Sequence, residues 1–513
     1  MRATTIDRRQ ALGLIGAGAL LAPPFAPALA RAPLAHDGLT IATGNGLVRG
    51  KLAGGVRVFT GIPYGQAARF AAPRPAPRWA GVRDATAPAP VCPQKPGMTP
   101  FAGAMTEDCL ALNIWAPATP GRHPVLVYIH GGGNEGGWSG EALTAGDRFA
   151  ADGVVAVTVN YRVGALGFLE TGEALGHAYA GSGNNGMRDL VLALRWIRAN
   201  IAAFGGDPAR VTIAGESAGG KNVGTLMGMP MADGLYARAA IFSGGGQTLH
   251  TLAEAQEFAR LFVAKLGGAD RLLTATTDQL LAAQAAARSA WPRNFPFRPV
   301  VDGQALPLVP LARLRAGKAP RVPLLIGSNA DESRLFLNAE QAAGPIQPQA
   351  LSNATVAEMV ARDAAYAQAF PDLSTAERHW RLITAEEYGM PCLRLALAHA
   401  QSGAPVWRYR LAFPAPGGPF KGHSPHVLDL PFTFDHLTSP GMAQFFGLSA
   451  AEQPLADGMH GAMVRFVQGQ APAGPGLPAW HGYDARAHAT MVLDQVPALV
   501  SDPDGVERKI WGE

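Results

Sequence analysis

Gly215-Glu216-Ser217-Ala218-Gly219 sets a serine between two glycines at minus and plus two. An apolar run, Val211 to Ala214, precedes it, and a helical pattern, Gly220 to Met227, follows. A serine on so sharp a strand-to-helix turn is raised above its sheet as a nucleophile, and the glycines are needed where a side chain would strike neighbouring backbone. The chemistry this suits is attack on a carbonyl carbon, which puts negative charge on the carbonyl oxygen. A second segment fits that demand. His130-Gly131-Gly132-Gly133 follows the apolar run Val125 to Ile129, and glycines there let backbone N–H groups approach a developing oxyanion. No Lys-Ser or Lys-Thr pair follows, as a phosphate loop would require. The residue after the serine, Ala218, supplies a further donor.

A serine hydroxyl needs a base within hydrogen-bond reach and a carboxylate that fixes the tautomer of that base. In this arrangement they follow in the chain order serine, acid, histidine. Gly327-Ser328-Asn329-Ala330-Asp331-Glu332 leaves the apolar run Pro323 to Ile326 and offers Glu332, with Asp331 as its rival. For the base, His423 and His426 both lie between Gly422 and Phe434, and chemistry and spacing do not separate them.

These residues need a scaffold. The runs Val125 to Ile129, Val154 to Val159, Val211 to Ala214, Ala239 to Phe242 and Pro323 to Ile326 read as buried strands of a parallel sheet. Helical stretches such as Asp189 to Ile201 and Thr225 onward lie between them, so the fold class is α/β with helices on both faces. Leu252 to Ser289 and Thr355 to Ala400 read as helical insertions, and the Pro-rich stretch from Ala71 to Pro96, with Trp79 and Val82, reads as a packed loop. No linker divides the chain, so residues 31–513 are expected to form one catalytic domain.

Hydrophobic residues make up 48% of the 513 and charged residues 16%, which suits a buried core and argues against disorder. Half of the formal +4 charge sits on Arg2, Asp7, Arg8 and Arg9, so the remainder offers no basic surface for nucleic acid. Residues 1–30 read as an export signal: paired arginines of twin-arginine type, an apolar stretch from Ala11 to Ala22, and a small-residue cleavage site at Ala28-Leu29-Ala30. The apolar stretch is too short to span a bilayer, so cleavage and release are expected, with no stable membrane insertion. Of the three cysteines, Cys92 and Cys109 could close a loop in an oxidising compartment, leaving Cys392 as a buried thiol.

The chain resembles the type B carboxylesterase and cholinesterase family of the α/β-hydrolase fold. The matching stretches are Phe59 to Tyr64, Glu107 to Trp115, Asn160-Tyr161-Arg162, Phe204 to Pro208 running into Gly215 to Gly220, Val301-Asp302-Gly303 and Thr490 to Asp494. The resemblance implies Ser217 as nucleophile, Glu332 as acid, and Gly132, Gly133 and Ala218 as oxyanion donors. It also selects His426 as base, because the family places a carboxylate three residues on, then an apolar and an aromatic residue, as Asp429, Leu430 and Phe432 do here. It further implies a Cys92–Cys109 bridge and a supporting role for Ser243 beside the acid.

Two departures bear on substrate. Many relatives carry an aromatic residue after the glycines, where this chain has Asn134-Glu135, so a more polar pocket wall is expected, suited to polar or cationic groups. The loop between Cys92 and Cys109 lacks the tryptophan with which cholinesterases hold choline, and Phe101 is its only aromatic residue, so cholinesterase activity is not expected. Lys221 is unusual on a covered helix and should reach a carboxylate or snorkel to solvent. The expected reaction is hydrolysis of a small-molecule carboxylic ester through an acyl-enzyme, without cofactor, failing below about pH 6 to 7 as the base protonates. An amidase, thioesterase or acyltransferase would need the same residues. An adhesion module on this fold would lack part of the triad.

Overall fold

Alternating β-branched and amphipathic segments build an eleven-stranded sheet in the computed structural model, which describes residues 38–97 and 101–513. In chain order its strands are β1 (Lys51–Ala53), β2 (Val56–Pro63), β3 (Ala111–Pro117), β4 (His123–Ile129), β5 (Val155–Val159), β6 (Gly206–Glu216), β7 (Arg238–Phe242), β8 (Leu324–Asn329), β9 (Val406–Leu411), β10 (Ala489–Leu493) and β11 (Ala498–Ser501). They lie side by side in the order β11-β10-β9-β8-β7-β6-β4-β5-β3-β2-β1. Pairing from β5 through β10 is parallel, and the strands at both edges are antiparallel. All five anticipated strands lie in the parallel stretch. The parallel strands β9 and β10 and the antiparallel strands β1, β2, β3 and β11 lie beyond those five.

Both faces are buried, as parallel strands require. Along β4, Val125, Val127 and Ile129 enter one apolar core while Leu126 and Tyr128 enter the other, the period-two alternation of a strand between two layers. Leu39–Glu513 forms one compact unit. The expected export signal lies outside the described residues, and among those described no helix is long and apolar enough to cross a membrane.

The helices that matter for the site are α1 (Asn185–Asn200), α2 (Ala218–Gly228), α3 (Leu252–Leu266), α4 (Thr277–Ala290), α5 (Val356–Ala369), α6 (Thr375–Thr384) and α7 (Met390–Gln401). Each expected insertion is thus several helices. Capping boxes start them, Thr251 with Glu254, Thr276 with Gln279, Thr355 with Glu358 and Ser374 with Glu377, each pair satisfying backbone donors left over at a helix start. Between α6 and α7 the helix widens into one π turn, Ala385–Gly389. Pro391 has no N–H for the carbonyl four residues before it, which accounts for the widening. In the Pro-rich stretch, Trp79 is half-buried and its indole N–H donates to the Leu47 carbonyl. Val82 is 53% exposed, contrary to the packed role expected, because it lies on a short strand outside the main sheet.

Candidate active site

Ser217 stands at φ 56° and ψ −125° between β6 and α2. That left-handed, strained backbone is what the elbow demands, and the glycines around it are dictated by crowding. A methyl group on Gly219 would lie 2.0 Å from the Ile129 carbonyl oxygen, and one on Gly215 would lie 2.5 Å from the Gly219 backbone. The glycine turn after β4 packs directly on the nucleophile: a Cβ at Gly131 would sit 3.0 Å from Ser217 Cβ. Gly132 and Gly133 follow at φ 99° and 65°. The N–H groups of Gly132, Gly133 and Ala218 donate to no acceptor among the described residues, so all three are free.

The turn is braced from behind. His130 stacks on Tyr161 at 4.5 Å, and burial drives its pKa down to about 4, so it is a neutral packing group. Asn134 is buried; its Nδ2 donates to the Phe297 carbonyl at 3.2 Å, and its Oδ1 accepts from Asn222 Nδ2 at 2.9 Å. Glu135 turns toward α4, with Oε1 3.5 Å from Arg288 Nε. Burial raises its pKa, opposed by Arg288 and Gln284. The Asn134 amide is thus taken up by neighbouring elements, whereas Glu135 Oε1 makes no aligned hydrogen bond among the described residues. Phe101 packs edge-on against Trp138 at 6.2 Å. Cys92 and Cys109 are disulfide-bonded. Cys392 is a buried free thiol, pushed up to about 12 by burial.

Glu332 is fully buried beyond the end of β8. Its Oε1 accepts from Ser243 Oγ and from the Asn329 N–H, both at 2.6 Å, and its Oε2 lies 2.5 Å from His426 Nδ1. The structure thereby separates the rivals. Asp331 accepts instead from the Ser424 N–H, and His423 sits partly exposed with no contact to Glu332. Val427, beside the histidine, is a β-branched residue at φ 77°, so the turn that aims His426 is itself strained.

His426 is ringed by groups that only partly declared themselves in the sequence. Tyr388 and Phe336 pack on its ring at 4.7 and 5.1 Å. Its Nε2 lies 3.1 Å from Glu216 Oε1 and makes no aligned hydrogen bond among the described residues, so the contact with the Ser217 hydroxyl is not closed here. Asp429 is buried with Oδ2 accepting from Tyr409 OH at 2.6 Å. Burial raises the pKa of Glu216, opposed by the charge on His426 with which it titrates as a pair, and, with the Glu332 charge, pushes Asp429 up to about 6. For His426, burial disfavours the imidazolium, yet Glu216 and Glu332 outweigh it and raise its pKa above 6.5. Lys221 is buried and contacts Glu387 of the π turn, which answers where its charge goes. Burial and Arg298 pull its ammonium down to about 7, against the opposing charges of Glu386, Glu216 and Glu332.

A strained serine, free amide donors and a buried carboxylate–imidazole pair are the parts of an acyl-transfer site. Residues 37–503 match the model of the carboxylesterase family. The para-nitrobenzyl esterase of Bacillus subtilis is 34% identical over 91% of this chain and 97% of its own length. The fumonisin B1 esterase of Sphingopyxis macrogoltabida is 30% identical over 88% and 86%. Among solved structures, the Geobacillus stearothermophilus carboxylesterase EST55 superimposes with a TM-score of 0.80 at 36% identity, covering 92% of this chain and all of that one. The chain belongs to the type B carboxylesterase family, on the α/β-hydrolase fold, and is a hydrolase of carboxylic esters.

Proposed function

We propose that ester hydrolysis proceeds through a Ser217–His426–Glu332 triad. The observation that carries this is the buried 2.5 Å contact of His426 Nδ1 with Glu332, which leaves Nε2 unbonded and facing the turn that bears Ser217. Catalysis requires the serine hydroxyl to come within hydrogen-bond reach of Nε2, a contact of the kind that tightens when substrate enters. Ser217 Oγ then attacks the ester carbonyl as its proton passes to Nε2, and charge on the carbonyl oxygen is met by the N–H groups of Gly132, Gly133 and Ala218. The alcohol leaves with the proton from Nε2. Water, deprotonated by the same nitrogen, frees the acid and restores the serine. Each amide donor contributes on the order of 3 kcal/mol in the transition state.

Ser217→Ala tests the assignment: kcat toward p-nitrophenyl acetate should fall by about 10⁴- to 10⁶-fold. An organophosphonate probe should label the wild type at Ser217, and label found on any other residue overturns it. Residues 1–30 act, in this reading, as a cleaved signal that delivers residues 31–513 to an oxidising exterior compartment, in keeping with the Cys92–Cys109 bridge. Protein recovered outside the cytoplasm should begin near Arg31; an intact Met1 on the exported enzyme counts against it.

A further inference from the structure

Lys221 lies one helical turn after Ser217, its N–H donating to the Ser217 carbonyl at 2.9 Å, so it is fixed to the nucleophile elbow. Its ammonium stands over two ring faces, 4.7 Å from the centre of Phe295 and 5.1 Å from that of Tyr388, and contacts the Glu387 carboxylate. The two side chains are only 10% and 4% exposed. Each ring touches a different part of the machinery. Phe295 abuts the oxyanion turn, since a Cβ at Gly133 would meet its Cδ1 at 3.0 Å, and Tyr388 packs on His426 at 4.7 Å.

We propose that Lys221 and Glu387 form a buried ionic clamp that positions Phe295 and Tyr388, and so sets which acyl lengths the esterase accepts. The inference rests on the triad reading above. A buried lysine is held only where its charge is compensated, and a cation prefers the π face of a ring to bare hydrocarbon. Tyr388 gives independent support: its hydroxyl is buried without a hydrogen-bond partner among the described residues, so packing and the adjacent ion pair orient the ring. The anchors on either side are firm. Arg298 donates to the Phe295 and Ser352 carbonyls at 2.6 and 2.8 Å, holding Phe295 at φ 48°. Glu386 accepts from the N–H groups of Asn353 and Ala354 at 2.6 and 2.8 Å, fixing the π turn that carries Glu387. Lys221 closes the span between the two rings. Without it they can part, and the space beside the acyl carbonyl widens.

The test is the ratio of kcat/KM for p-nitrophenyl acetate to that for the octanoate. In Lys221→Met it should shift at least tenfold toward octanoate, through a fall in kcat for acetate, while the phosphonate probe still labels Ser217. Because that variant leaves the Glu387 charge uncompensated, Lys221→Met/Glu387→Leu carries the decision: melting temperature should return toward wild type while the altered ratio persists. A folded double variant with the wild-type ratio, within twofold, overturns the clamp. Wild-type enzyme not labelled at Ser217 would instead overturn the triad reading beneath it.

Discussion

The two halves of the site are built by different means. On the nucleophile side, Ser217, the glycine turn and the donors at Gly132, Gly133 and Ala218 are backbone features, packed so closely that a methyl group at Gly219 would lie 2.0 Å from the Ile129 carbonyl oxygen. On the histidine side the features are side chains from distant segments. Glu332 and His426 meet across 94 residues, and Tyr388, Phe336 and Phe295 arrive from the insertions and their flanking loops. Backbone crowding leaves little choice of residue and marks the sequence with glycine. Side-chain packing admits many solutions and marks it faintly.

The contrast can be broken most severely at the acid. Glu332→Gln keeps the volume but presents an amide to Nδ1, which favours the wrong tautomer; kcat should drop about 10⁴-fold with little change in KM. A loss under tenfold would mean that the 2.5 Å contact does not orient the base. On the backbone side, Gly219→Ala forces β4 and α2 apart and should cost about 1 to 3 kcal/mol of stability, read by urea denaturation, together with the oxyanion geometry. An alanine accepted at wild-type stability would show that crowding does not dictate the glycine.

The smallest effect joins the halves, because Glu216 belongs to the elbow yet faces the base. Imidazolium cannot accept the serine proton, so activity is full above the pKa of His426 and lost as pH falls through it. With that pKa raised above 6.5, chiefly against burial by Glu216 and Glu332, the acid limb of kcat/KM should lie higher than an ordinary histidine would place it. Glu216→Gln removes the carboxylate 3.1 Å from Nε2 and should move the limb downward. An unmoved limb would sever Glu216 from the titration.

Much of this was legible beforehand, for identifiable reasons. Five of the seven strands of the parallel stretch are β-branched and bounded by turn residues, so they read directly. The insertions were recognised as helical but not divided, although Thr-x-x-Glu at 251 and 355 and Ser-x-x-Glu at 374 mark helix starts within or beside them. The polarity of Asn134 beside the glycine turn suggests a pocket wall, whereas its amide is spent on Phe297 and Asn222, partners that no local pattern names. Nothing in the sequence said that Glu216 would face Nε2, or that Pro391 would widen a helix so that Glu387 meets Lys221.

By itself the order of residues determined the strand-to-helix turn, its glycines and the free amide donors, because these follow from local backbone geometry and the exclusion of a Cβ. Residues alone left Glu332 beside Asp331 and His426 beside His423. The family resemblance favoured one of each, and the fold alone brought that pair within 2.5 Å. Which nitrogen stays free, how far burial and neighbouring carboxylates move the imidazole's pKa, and where the lysine finds its counter-charge depend on distances between segments far apart in the chain, and only tertiary packing fixes those.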